Sequence, residues 1–225
     1  MLPANTEILI DAEAVAVKAY LTIAQLGQLA IEERGKFRLV LAGGTTPTRA
    51  YELLSQTHQD WDRWEIFWGD ERCLPSNHAE RNSRCAHLAW LSKVPIPTNN
   101  IYPIPSEQGA EDAAELYAQH IATKLPFDLV ILGMGEDGHT ASLFPGHDIP
   151  ESLTMAVHDA PKPPPDRVSL TTTALQHCRQ QLILVTGRSK REALQQWQRG
   201  KGLPIAQVTL PDAILLLDHD SAHAE

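Results

Sequence analysis

The segment Gly133-Met134-Gly135-Glu136-Asp137-Gly138-His139 places a histidine behind three glycines, directly after the apolar run Phe127 to Leu132. Histidine exchanges a proton near neutral pH, so a histidine presented at the end of a buried strand suits general-base chemistry. A lone histidine is as easily an exposed side chain, and its position after the strand is what makes His139 a candidate. The same segment matches Gly-x-Gly-x-x-Gly. A dinucleotide fingerprint would also need a helix opening within it and an acid about 20 residues on, ending the next strand. Here that region is proline-rich, so the segment reads as a loop presenting His139.

Three further motifs stand at predicted element boundaries. Gly43-Gly44-Thr45-Thr46-Pro47 follows the run Phe37 to Leu41. Its glycines permit close backbone approach, and the helix expected after it offers free N–H groups to a phosphate. By spacing alone it is equally a plain turn. Asp70-Glu71-Arg72 follows Glu65 to Trp68. It is either solvated or holds an arginine that grips an anion beside a carboxylate. Thr186-Gly187-Arg188-Ser189-Lys190 precedes a helix. Cations at a helix N-terminus oppose its partial positive charge, so Arg188 and Lys190 there suggest an anion between them, or else a solvent-facing pair. No Gly-x-Ser-x-Gly elbow and no His-Glu-x-x-His occurs.

The elements that must position these groups alternate. Asp11 is the expected cap of a helix with Val15, Ala19, Ile23, Leu26 and Ala30 on one face. Strands are expected at Phe37–Leu41, Glu65–Trp68, Phe127–Leu132, Arg167–Leu170, Gln181–Val185 and Ala213–Leu217. Helices are expected after Pro47 (taken as the first helical position), at Asn82–Leu91, at Ala110–Leu125, and from a Ser189-Lys190-Arg191-Glu192 capping box to Gln198. Pro95–Pro105 and Pro161–Pro165, with four prolines each, read as connectors. The pattern implies an α/β fold with an open, largely parallel sheet flanked by helices, Rossmann-like, in a single domain over 1–225. In such sheets ligands bind beyond the carboxyl ends of the strands, where these motifs lie.

Composition narrows the chemistry. The 225 residues carry 19 basic and 28 acidic side chains, 19 − 28 = −9. That balance argues against nucleic acid and anionic membranes as partners, which need basic surfaces, and leaves room for a locally positive site. Cys73, Cys85 and Cys178 are scattered, with no CxxC pair or His/Cys cluster, so no metal is expected and the thiols read as free in a reducing compartment. The first residues show no basic region followed by an apolar one. The longest purely apolar run, Ala213–Leu217, is too short to span a bilayer. A cytoplasmic location is expected.

Taken together and in order, LAGGTTP at 41–47, WGDERCLP at 68–75, GMGEDGHTASLFPG at 133–146, RVSLT at 167–171 and TGRSKREAL at 186–194 resemble the 6-phosphogluconolactonase family. They cover the chain from about 37 to 217. The resemblance implies the glucosamine-6-phosphate deaminase-like fold. It implies hydrolysis of 6-phospho-D-glucono-1,5-lactone, a phosphosugar lactone of the oxidative pentose phosphate pathway, without metal or organic cofactor. It implies that His139 is the general base. Gly43, Gly44, Thr45, Arg167 and Lys190 would then surround the phosphosugar, with Asp70 and Arg72 as an acidic–basic pair lining the site. Asp137 and Arg72 stand beside His139 as catalytic candidates. Arg81 departs from the serine often found before the equivalent of Asn82, and Asn82 and Ser83 are therefore left out of the expected site.

The related deaminases show Asp-Glu-Tyr where this chain has Asp70-Glu71-Arg72, and Asn-Glu-Pro-Gly where it has Leu143-Phe144-Pro145-Gly146. The glutamate that primes the deaminase histidine is missing here. A non-catalytic sugar-phosphate sensor would need a DNA-binding segment, and none is evident.

Overall fold

The structure, a computed structural model, describes residues 1–222, so the last three residues of the expected domain lie outside the described residues. Six strands form one sheet: β1 (Asn5–Leu9), β2 (Phe37–Leu41), β3 (Trp64–Trp68), β5 (Phe127–Gly133), β8 (Cys178–Val185) and β9 (Ile214–Asp218). Their order is β1-β9-β8-β5-β2-β3 and every neighbouring pair is parallel. Helices cover the sheet, which is why the central strands are almost continuously apolar and buried. The edge strand β1 was not anticipated. Its sequence, NTEIL, is half exposed and lacks the apolar run that betrays an inner strand.

Helix α1 (Ala12–Arg34) begins where Asp11 Oδ1 accepts the Ala14 N–H at 2.8 Å. It ends at Gly35, whose φ of 77° suits glycine and whose N–H returns to the Ile31 carbonyl. Val15, Ala16, Ala19, Ile23, Gly27 and Ala30 form its buried stripe, against α2 (Thr45–Leu54), β2 and β9. A side chain at Gly27 would come within 2.8 Å of Trp64, so glycine lets the helix lie down on the sheet. By length and composition alone α1 is long and apolar enough to cross a membrane, with a mean hydropathy of 1.4 over 18 residues, although its longest unbroken apolar run, 14–17, has four residues.

A second, smaller sheet accompanies the expected parallel one. β4 (Asp70–Arg72), β6 (Thr154–Val157) and β7 (Arg167–Leu170) form an antiparallel sheet in the order β4-β7-β6, backed by α4 (Ala110–Ala122). Strand–helix alternation cannot tell which sheet a short strand joins. Gly69 makes the transfer: its N–H donates to Leu41 of β2 and its carbonyl accepts from Leu170 of β7. Asp70-Glu71-Arg72 is therefore itself a strand, and the expected strand Arg167–Leu170 runs antiparallel to it.

Three helix boundaries also differ. Pro47 is the third residue of α2, not the first. The expected helix at 82–91 is α3 (Asn82–Ala86), followed by a wide π turn, His87–Leu91. The Ser189 capping box does not form. Arg188–Lys190 make a 3₁₀ turn without a side-chain cap, and only then does α6 (Arg191–Gln198) begin, after α5 (Thr172–Gln176) and before α7 (Pro204–Val208) and α8 (His219–Ala222).

The chain passes from β2 outward to β3 on one side and from β5 outward to β8 on the other. The sheet reverses its winding between β2 and β5, and a crevice must open there beyond the strand ends.

Candidate active site

A cleft of about 320 Å³ occupies that crevice. Its floor is Ala42, Gly43 and Gly44 after β2, and Gly133, Met134 and Gly135 after β5. Asp70 and Arg72 enter from β4, Arg167 from β7, and Lys190 from the turn after β8. The structure thus brings together His139, Gly43, Gly44, Asp70, Arg72, Arg167 and Lys190. Thr45 does not line the cleft; it is exposed at the first turn of α2. Asp137 does not line it either; it contacts His139.

His139 is held from several sides. Asp137 Oδ1 accepts the His139 N–H at 3.1 Å and lies 2.5 Å from Nδ1. The Gly135 N–H donates to the His139 carbonyl at 2.8 Å, and the ring lies 4.7 Å from the Phe144 ring. Burial works against the Asp137 charge, but the His139 N–H and imidazole outweigh it and hold the carboxyl below its usual range. With Nδ1 committed to a carboxylate, the proton-accepting nitrogen that remains is Nε2, on the cleft-lining side chain. Gly135 is obligatory for packing: a Cβ there would lie 2.0 Å from the imidazole. No helix opens within Gly133–Gly138, which agrees with a loop rather than a dinucleotide fingerprint.

The β2 turn is equally constrained. Tyr51 Oη donates to the Ala42 carbonyl and accepts the Ala42 N–H, pinning the residue before the glycines. Gly44 has φ 108°, and no side-chain oxygen caps α2, so the first-turn N–H groups stay available at the cleft mouth. A Cβ at Gly43 would come within 2.2 Å of Asn82 Oδ1.

Asn82, left out of the expected site, therefore belongs to it. It lines the cleft, and its Nδ2 donates to Asp70 Oδ1 and to the Asp70 carbonyl, both at 3.0 Å. Arg81, the departure that led to its exclusion, is 2% exposed and lies 3.4 Å from the fully buried Glu71. Glu71 in turn accepts the Asn82 and Ser83 N–H groups at 2.7 and 2.8 Å. The Arg81–Glu71 pair and the two N–H groups on Glu71 hold the start of α3 in place. Asp70 is buried too. Desolvation raises its carboxyl above the usual range, opposed first by the Ser142 Oγ–H donating at 2.7 Å.

The cations have unequal roles. Arg167 donates through Nε and Nη2 to the carbonyls of Pro164, Lys162 and Pro163, and its guanidinium lies 5.6 Å from the Phe144 ring. Arg72 faces Arg167 across the β4–β7 pair and donates through Nη1 to the Glu80 carbonyl, while its Nε is buried without a hydrogen-bond partner among the described residues. Like charges opposed on neighbouring strands repel. Burial lowers the Arg167 pKa, with Asp70 offsetting this and Arg72 adding to it. Lys190 is half-buried, and desolvation lowers its pKa against the pull of Glu136. Lys162, which the sequence reading passed over inside its proline run, also lines the cleft. The excess of cations is the electrostatic signature of an anion site, and the acids within it point to a ligand with polar, hydrogen-bonding groups as well. Among the described residues no group of His, Cys, Asp and Glu is placed to hold a metal ion.

The chain is similar to known proteins in sequence and in structure. Residues 10–216 match the family model described as glucosamine-6-phosphate isomerases/6-phosphogluconolactonase. A 6-phosphogluconolactonase from Synechocystis sp. is 37% identical over 199 residues, covering 84% of this chain and 80% of that protein. The chloroplastic 6-phosphogluconolactonase 3 of Arabidopsis thaliana is 37% identical over 76% of this chain, and the match spans 59% of the length of that relative. The crystal structure of 6-phosphogluconolactonase from Thermotoga maritima superposes with a TM-score of 0.86 at 30% identity, covering 95% of this chain and 98% of the other. The chain belongs to the glucosamine-6-phosphate isomerase/6-phosphogluconolactonase family.

Proposed function

We propose that the protein hydrolyses 6-phospho-D-glucono-1,5-lactone to 6-phospho-D-gluconate in the cytoplasm, with His139 as general base. The observation that carries this reading is His139, held by Asp137 and lining the same cleft as Arg72, Lys162, Arg167 and Lys190. In the proposed step, neutral His139 Nε2 takes a proton from water as the water oxygen attacks C1 of the lactone. The tetrahedral intermediate then expels the ring oxygen, which recovers that proton from Nε2. Asp137 keeps the other ring proton on Nδ1 and stabilises the imidazolium between the two transfers. An ester carbonyl needs only modest activation of water, which is consistent with general-base help worth about 10²–10⁴-fold. The phosphate lies far from the reacting carbon, and its binding energy orients the ring.

The test is an assay of freshly prepared 6-phosphogluconolactone, with spontaneous hydrolysis subtracted, on parent and His139→Ala. The expected result is catalysed hydrolysis that falls by about 10²-fold or more in the variant, with 6-phosphogluconate binding largely kept. Near-normal turnover by a folded His139→Ala protein removes His139 as the base. Glucosamine-6-phosphate should yield no ammonia above background; release at a matching rate would assign the deaminase activity instead.

A further inference from the structure

The proline run Pro161-Lys162-Pro163-Pro164-Pro165 does more than connect β6 to β7. Its base is closed by the Ala160 N–H on the Pro165 carbonyl, and by His158, which sits between Asp166 at 2.7 Å and Glu111 of α4 at 2.8 Å. Its underside is held by Arg167, which spends three hydrogen bonds on its carbonyls. The loop is fixed from below, so its lysine is presented at a set place on the cleft rim. There Lys162 Nζ meets Glu136 Oε2 at 3.2 Å. Glu136 belongs to the loop that carries His139, so this ion pair joins the two loops across the mouth of the cleft. Glu136 also lies within electrostatic reach of Lys190.

Glu136 is thus the carboxylate that Lys162 holds, with Lys190 on the lining of the same cleft. We propose that Lys162 is a specificity-determining residue for the substrate phosphate and that Glu136 is its internal counter-anion, displaced when a phosphate dianion enters between Lys162 and Lys190. This rests on the phosphosugar reading given above. An ion pair this exposed holds its partners weakly, so a dianion that meets both lysines can replace a single carboxylate. A neutral sugar lactone cannot, and it leaves the two loops bridged.

Calorimetric titration with 6-phosphogluconate and with gluconate tests this without using turnover. Failure of the lactonase activity itself would appear separately, in the hydrolysis assay of the parent. Glu136→Gln is expected to bind 6-phosphogluconate about threefold to tenfold tighter, because a competing charge is removed, and Lys162→Met about tenfold weaker. Lys162→Arg should restore most of the affinity, and gluconate binding should not respond to any of the three. Both side chains are exposed, and thermal unfolding should confirm that the variants remain folded. Unchanged or weaker phosphate-ester binding by Glu136→Gln, or parental binding by Lys162→Met, overturns the proposal.

Discussion

Glycine and its neighbours set the chemistry at the scale of single residues. Gly135 leaves no room for even a methyl group beside the His139 ring. Gly135→Ala must push the imidazole off Asp137 or distort the loop, so kcat should fall nearly as far as in His139→Ala, about 10²-fold, while Lys190 still binds 6-phosphogluconate. Parental kcat in Gly135→Ala would show that the ring position does not matter. Lys190 and Arg167 looked alike in the sequence but are not alike in the structure. Lys190 makes no hydrogen bond among the described residues that it would lose on truncation, whereas Arg167 holds the proline loop. Lys190→Ala should weaken 6-phosphogluconate binding by roughly 10-fold, consistent with about 1.5–3 kcal/mol for a hydrogen bond to a charged group. It should barely affect hydrolysis of unphosphorylated gluconolactone. Arg167→Ala should damage kcat/KM on both substrates, because the loop moves as well. Measuring kcat/KM for both variants on both lactones separates the roles, and equal losses on both lactones in Lys190→Ala would take that lysine away from the phosphate.

At the scale of elements, a five-residue helix is too short to hold itself and is fixed by one carboxylate. Glu71 accepts the N–H groups of Arg72, Asn82 and Ser83 and pairs with Arg81, all at a site closed to solvent. Glu71→Gln sets an amide NH₂ against two N–H donors and leaves Arg81 short of a counter-charge. Breaking a buried pair in this way costs about 3–5 kcal/mol, or a Tm lower by about 6–20 °C for a chain of this size. Calorimetric unfolding measures it, and a shift of a degree or two would mean that Glu107, 2.6 Å from Arg81, carries the load alone. This network also marks what the sequence could show. The parallel strands other than β1, α1 with its Asp11 cap, and the loop ending at His139 were legible, because continuous apolar runs and glycine-rich strand ends reflect local physics. Asn82 and Lys162 were not. Asn82 reaches the cleft through Glu71 and Arg81, which are distant in sequence from the glycine it packs on. Lys162 sits among prolines, where the composition speaks only of an extended chain. The antiparallel sheet escaped for the same reason, since β4 and β7 are short and their pairing is set by Gly69 rather than by their own pattern.

At the scale of the whole molecule, the parallel sheet separates two charged poles on a chain of net charge −9. Beyond the carboxyl ends of the strands, Arg72, Lys162, Arg167 and Lys190 face a cleft open to ligand. At the amino ends, cations instead close on buried carboxylates: Arg34 lies 2.9 Å and Arg179 3.5 Å from Asp128, while Arg38 and Lys124 each lie 2.9 Å from Glu65. The second pole is a stability device, and its pH dependence has a definite sign. Desolvation disfavours the Glu65 charge, but the hydrogen bonds from Lys124 and Arg38 outweigh it and hold the carboxyl below its ordinary 4.5. A carboxyl whose folded pKa is depressed stabilises the fold above its unfolded pKa, and that contribution disappears as pH falls through the folded value. Glu65→Gln should therefore lose about 1.5–3 kcal/mol at pH 7, the range for hydrogen bonds between charged groups. The loss should persist at pH above the ordinary carboxylate range and shrink as pH falls below 4.5, where first the unfolded chain's Glu65 and then the folded parent's takes up its proton. Urea unfolding of parent and variant at pH 7, 5 and 3.5 resolves the window. A stability gap of the same size at pH 3.5 as at pH 7 would show that Glu65 acts through packing rather than charge. Hydrolysis at pH 7 by the folded variant should match the parent, since Glu65 stands at the opposite end of β3 from the cleft.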